Sequence, residues 1–235
     1  MGSVGTKGSY SGILGRKGKA KTASSAQEWQ KIVNPHYGEG SGYSNNCSLC
    51  TFATSLQMKG YDVEAMPFIE DDWRGSTTAY DFDFSNYDNY LAPSKTTNGV
   101  SVLFAEKHPT KMTLADKLKA QENIGYASMN PHKIGFTAEQ ASFRIDEFMK
   151  NAGNGAYAEI SVAWKTGGGH SMFVTRENDE TKIFCTQTGR QYVGKGQIQA
   201  LLSKTIVSQT TVLRLDNANL KDGVQEDLSK MVRRK

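Results

Sequence analysis

Between Ala158 and Gln187 the chain alternates apolar and other residues in runs separated by turn-formers, and this pattern restricts the fold more than any other. Ala158, Ile160, Val162 and Trp164 recur at every second position, Gly167-Gly168-Gly169 interrupts, and a new run opens at His170 and continues to Thr175. Asn178-Asp179 then precedes a third run, Thr181 to Gln187. Period-two runs are strands of a sheet covered on one or both faces. Asn and Asp tolerate the left-handed backbone that a two-residue hairpin turn demands. A turn centred there pairs residues whose numbers sum to about 357. That sets His170 opposite Gln187 and Met172 opposite Cys185. Because side chains alternate, His170, Cys185 and Gln187 share one face.

The first half reads as helix. Leu49, Phe52, Ala53 and Leu56 recur at helical spacing, Asn46 stands at the N-cap position, and Gly60 supplies the left-handed residue that ends such a helix. Cys47 then falls in the first turn and Cys50 one turn further on. A first-turn thiol meets the positive end of the helix dipole and free backbone N–H groups, which lower its pKa and offer donors to a developing oxyanion. Ser25 to Glu28 has capping-box spacing before Trp29, Ile32 and Val33, with Pro35 closing that helix. Tyr61 to Ala65 alternates like a strand. Thr137 to Gln140 is a second capping box before Ala141, Ile145, Phe148 and Met149. A strand over Ser101 to Ala105, a helix from Thr113, a helix over Gly196 to Ile206 and a last strand over Thr210 to Leu215 complete the reading. Helices come first and an antiparallel sheet follows, which is the α+β class.

At 235 residues, 37% of them hydrophobic, the chain suits one large domain with tails. Residues 1–25 are rich in Gly, Ser and Lys with no acid before Glu28, and read as a flexible basic arm that contacts nucleic acid or a capsid, or is a solvated tail. Residues 26–220 form the domain. Residues 71–95, where no period persists, are an irregular insertion pinned by Trp73, Tyr80, Phe82, Phe84, Tyr87 and Tyr90, and 221–235 are a polar, basic tail. No apolar run reaches the ~18 residues of a membrane helix and no apolar leader is seen, so a protein without a Sec signal and without membrane contact is expected, cytoplasmic when made. Three cysteines are too few for a disulfide scaffold. His36, His108 and His132 lie in polar or proline-flanked stretches and are expected at the surface.

A cysteine on an early helix, and a histidine more than a hundred residues later on a strand, is the spacing of papain-like enzymes. The implied chemistry is a thiol nucleophile, an imidazole base and a third polar group that fixes the tautomer. More specifically, Asn34-Pro35-His36-Tyr37, Asn46-Cys47-x-x-Cys50, Lys59 to Ala65, Trp164-Lys165-x-Gly-Gly-Gly-His170, Gln187-Thr188-Gly189 and Leu213 to Asn217 together resemble the papain-fold toxin family. That family includes glutamine deamidase-type domains of bacterial polymorphic toxins and relatives encoded beside phage head genes. The resemblance runs in order from about Asn34 to Asn217. It implies a papain-like fold and a cysteine-dependent amidohydrolase that deamidates a protein glutamine without a cofactor or metal. It also implies delivery to a target cell or packaging in a phage particle. The nucleophile is carried to Cys47, with Cys50 as the alternative; the base is carried to His170, with the Asn46 amide helping to hold the oxyanion. The family's aspartate corresponds here to Cys185. A neutral thiol orients an imidazole poorly, and loss of that acid from a serine-protease triad costs a factor of ~10⁴. Gln187 would orient the ring instead.

Two rival readings follow. Without its acid, the chain would be a papain-like pseudoenzyme serving as a binding or virion protein. Alternatively, Cys47, Cys50, His170 and Cys185 would form a Cys₃His structural zinc site, although no second Cys-x-x-Cys accompanies the first. A thioredoxin-like pair is disfavoured, because no βαβ pattern surrounds the Cys-x-x-Cys.

Overall fold

The computed structural model describes residues 11–69, 82–83, 90–91, 137–216, 219–220 and 225–235. Four helices come first: α1 (Ser11–Leu14), α2 (Ala26–Val33), α3 (Ser41–Ser44) and α4 (Cys47–Met58). Strands β1 (Val63–Ala65), β2 (Phe82–Asp83) and β3 (Tyr90–Leu91) precede α5 (Ala138–Ala152). The meander β4 (Tyr157–Ala163), β5 (Gly169–Glu177), β6 (Glu180–Cys185) and β7 (Arg190–Val193) runs into α6 (Gly194–Leu202). A 3-10 turn (Val207–Gln209), β8 (Thr211–Arg214), β9 (Asn219–Leu220), α7 (Gln225–Met231) and β10 (Val232–Arg234) follow. The fold is α+β. Its main sheet is antiparallel, six-stranded, in the order β3-β8-β4-β5-β6-β7.

The hairpin register is the expected one. Phe173 pairs with Phe184 and Glu177 with Glu180, while Asn178 and Asp179 both take left-handed φ values of 51° and 62°. Alternation then sends neighbouring residues to two cores. On one face Phe173 and Phe184 pack with Trp29, Phe52 and Leu56, covered by α2 and α4. The Phe173 ring lies 5.4 Å from Tyr157 and 6.4 Å from Trp29 between centroids. On the other face Met172, Val174 and Ile183 pack with Ile145, Met149 and Ile198 under α5 and α6. Helices therefore cover both faces.

Local chemistry explains the helix ends. Thr137 and Gln140 form the full capping box of α5, and the Ser25 hydroxyl accepts the Glu28 N–H at the start of α2. The Glu28 carboxylate reaches back to Ser24 N rather than to the cap residue itself. After α4, Gly60 sits at φ +94°, with Gly60 N–H bonded to Gln57 O and Tyr61 N–H to Leu56 O, a Schellman ending.

The chain's ends depart from expectation. Residues 11–25 are not free: Leu14 is buried, Gly18 N–H donates to Gly60 O, and Lys21 N–H donates to Gln57 O. The expected C-terminal tail is also part of the fold. Leu228, Met231 and Val232 are buried in the α4-side core, and β10 pairs antiparallel with β1. The insertion contributes β2 to a pair with β9, and β3 to the sheet edge beside β8. The aromatic pins other than Phe82 and Tyr90, the strand over Ser101 to Ala105, the helix from Thr113, the first ten residues, His108 and His132 lie outside the described residues. Among the described residues, no helix is long and apolar enough to cross a membrane.

Candidate functional site

The site lies where α4 begins, against the start of β5 and the end of β6. Pairing of Glu177 with Glu180 across a two-residue turn makes every second N–H of β5 point at β6. By that alternation the N–H of Ser171 points there too, but β6 ends at Cys185 and the chain turns away through 186–189. The Cys47 sulfur lies near this end of β5, close enough to the N–H groups of Ser171 and Ser48 for both to favour its thiolate. Cys47 is half-buried.

On the other side of β5, the His170 Nε2 lies 3.0 Å from the Cys185 sulfur, and Trp164 stacks on the imidazole at 5.9 Å between ring centroids. The Thr188 hydroxyl also donates to Cys185, at 3.0 Å. The structure thus brings His170 and Cys185 together as the register requires. Cys185 occupies the ring position that an orienting acid would fill.

Three expectations need correction. Asn46 holds the N-cap position of α4 but caps nothing and is fully buried. Its Oδ1 accepts from Cys50, Asn34 and Gln187 at 3.3–3.4 Å, and its Nδ2 donates to Met66 O and Asn34 Oδ1. With its donors and acceptor occupied in this way, it is a structural hub and not an oxyanion donor. Gln187 donates to that hub rather than to the imidazole, because it lies in the turn after β6, where strand alternation no longer sets its direction. Finally, the lowered pKa expected of a first-turn thiol is not realised. Burial raises the Cys47 thiol despite the two N–H donors, with Cys185 and Glu159 adding to the rise. Burial also lowers His170 to about 4, helped by the Arg190 cation. At neutral pH the thiol and the imidazole are both uncharged.

Cys50 is buried, burial drives its pKa well up, and its thiol donates to Asn46. Among the described residues, no three His, Cys, Asp or Glu side chains are gathered closely enough to hold a metal ion, so the Cys₃His set does not assemble. His36 is partly exposed, and its ring contacts Glu39 and Arg233.

Sequence reasoning missed Glu159. This acid stands between Ala158 and Ile160 in β4, where alternation reads as a solvent-facing position, yet it is buried beneath the first turns of α4. It accepts the Ser171 hydroxyl at 2.7 Å, and the Thr51 hydroxyl, 3.1 Å from Ser171 Oγ, reaches back to Cys47 O. The only signal for it is an acid inside a largely apolar strand. Thr188 and Trp164 are within reach, since both lie in motifs that the sequence displays. Comparison with family models, with curated proteins and with solved structures finds no match to this chain, so its function is argued from its own residues.

Proposed function

We propose that this chain is a cysteine-dependent amidohydrolase of papain-like type, with Cys47 as nucleophile and a glutamine side-chain amide of a protein as substrate. One observation carries the reading: a half-buried first-turn thiol sits beside the backbone N–H groups of Ser48 and of Ser171, the residue that follows His170, and both favour its thiolate. Donors to sulfur favour the thiolate over the thiol whenever a base removes the proton. Cys185 already accepts the Thr188 hydroxyl. As acceptor of the His170 Nε2–H as well, it would fix the tautomer that leaves the Nδ1 lone pair free as the base.

In this reading the resting pair is neutral and the proton moves only when substrate arrives. The imidazole, which rests on Cys185, must turn towards α4 to take the Cys47 proton on Nδ1, and sulfur then bonds to the amide carbon. The imidazolium returns the proton as ammonia departs, leaving a thioester. Water, deprotonated by the same imidazole, then cleaves the thioester to a carboxylate and regenerates the thiol. The resemblance to papain-fold toxins supplies the amide substrate class, and a toxin or effector role or a phage-associated one comes with it.

A second reading rests on the 3.0 Å contact itself: His170 serves Cys185 as its base, and Cys185 is the reactive thiol. Iodoacetamide, a small primary amide, separates the two when adducts are mapped over time on wild type and on His170→Ala. Modification of Cys47 that slows roughly tenfold or more without the imidazole supports the Cys47 reading. A His170-dependent adduct on Cys185 supports the second. Reactivity indifferent to His170 would sink both and leave a papain-like binding protein that lacks catalysis.

A further inference from the structure

We infer that the two basic ends of the described chain form one composite site for the phosphate backbone of nucleic acid, at the opposite end of α4 from Cys47. The inference is independent of the catalytic reading. Residues 15–23, in neither helix nor strand, lie along the end of α4, with Gly18 N–H on Gly60 O and Lys21 N–H on Gln57 O. This lays out Arg16, Lys17, Lys19 and Lys21, the first three exposed. Beside them β10 pairs with β1 and brings up Arg233, Arg234 and Lys235, all exposed. The two groups touch. The Arg234 guanidinium packs over Gly15, where a Cβ would come within 2.8 Å of its Nε, and Lys235 N–H donates to Asp62 O.

Charge is concentrated here beyond what composition requires. Residues 15–21, 61–65 and 232–235 carry seven Lys or Arg and two acids, a net +5, whereas the whole chain is +4, so the remainder carries −1. Neither acid neutralises the surface fully. Glu64 is buried beneath the patch and engaged by Arg233, with Lys235 at 4.0 Å. Asp62 pairs with Lys21 at 2.5 Å, and Glu39 nearby is occupied by His36.

The composition of the patch selects the ligand. A membrane-surface site needs apolar side chains beside the cations. The exposed large hydrophobics among the described residues are Tyr37, Ile69, Phe143 and Ile206, none of them in these segments. A protein partner would also need an apolar centre. A nucleic-acid backbone needs only clustered, exposed cations, and it binds by releasing counterions. With α4 twelve residues long, the end where Gly18 and Lys21 dock stands roughly 18 Å from the thiol, far enough for a polyanion held there to leave the site uncovered.

The test is fluorescence anisotropy of the full chain with a labelled single strand of about 20 nucleotides, and with its duplex, across salt. Binding is expected to weaken with a log–log slope of about −3 to −4. Lys17→Glu with Lys19→Glu, and separately Arg234→Glu with Lys235→Glu, should each weaken binding about tenfold and flatten the slope by about 1–2. The exposed pair Lys150→Glu with Lys195→Glu, on the α5 and α6 side, should change neither, and thermal melts establish that every variant is folded. Should the charge reversal unfold either patch variant, Lys17→Gln with Lys19→Gln and Arg234→Gln with Lys235→Gln replace it, with about half the effect. An effect of the first pair without the second would overturn the composite site. So would tight binding to vesicles containing anionic lipid with none to oligonucleotide, or no binding by the wild type at low salt.

Discussion

Residues far away in sequence meet both ends of α4, but in opposite chemical ways. At the C-terminal end the free backbone groups have protein partners: Gln57 O accepts the N–H groups of both Gly60 and Lys21, Leu56 O accepts Tyr61 N–H, and the Gln57 amide donates to Val63 O. At the N-terminal end, the cap residue gives its side chain to a buried amide cluster instead of to the helix. A first-turn N–H is left for the Cys47 sulfur. A helix end without a side-chain cap normally costs about 1 kcal/mol. At α4 a thiol makes use of the freed donor, so in this helix the uncapped end marks the chemistry and the satisfied end marks the scaffold.

The largest effect should come from disturbing the satisfied end. Gly60→Ala puts a Cβ at φ +94°, and that atom would collide with the Gly18 carbonyl oxygen, which is backbone and cannot simply swing aside. A left-handed penalty of ~1–2 kcal/mol plus the displaced arm predicts a loss of about 2–4 kcal/mol in urea unfolding. A loss below ~0.5 kcal/mol would mean that the arm is not fixed to the helix, and the contrast between the ends would fail.

The next effect belongs to the open end and is read through pH. His170 titrates at about 4 when folded, because burial and then Arg190 disfavour the imidazolium. Its unfolded value is about 6.5, so as pH falls through that value the unfolded chain takes up a proton that the folded chain refuses. The stabilisation is complete above ~6.5, declines as pH drops towards 4, and is gone below it; for a half-buried ring this is on the order of 2 kcal/mol. His170→Gln should flatten the decline between about pH 6.5 and 4.5. The exposed Lys21–Asp62 pair at the other end should contribute no slope in that interval, since Asp62 is held below its ordinary value by Lys21.

The same contrast separates the parts of the molecule that are legible in the amino-acid sequence from those that are not. The hairpin register is legible because a two-residue Asn-Asp turn permits one pairing, and the end of α4 because Gly60 stands one residue past the cap. His170 and Cys185 lie on one face by the same arithmetic, and the structure puts them 3.0 Å apart. Gln187 is misdirected because that arithmetic stops with β6 at Cys185. The docked ends are illegible for a different reason. Ile13-Leu14 at one end and Leu228, Met231 and Val232 at the other are a few apolar residues in otherwise polar, basic segments, too short a run for a period to mark them as anchors. Glu159 reads as solvent-facing until α4 is seen lying over it, and no local pattern announces which helix will cover a strand.

The smallest stability effect should fall on the residue that matters most to the proposed chemistry. Cys47→Ala removes one half-buried sulfur, and because that position is partly open to solvent, water is expected to enter the space and take over the N–H groups of Ser48 and Ser171. The expected change in unfolding free energy is below about 1 kcal/mol, because few contacts are lost and no buried donor is stranded. Cys50→Ala, one turn further on, opens a fully enclosed space and takes a donor from the Asn46 hub, so it should cost more, about 1–2 kcal/mol. Paired urea melts of the two variants measure the difference. If Cys47→Ala proved the more destabilising, the first-turn thiol would be holding the helix to the sheet, and the uncapped end would then be explained by packing alone.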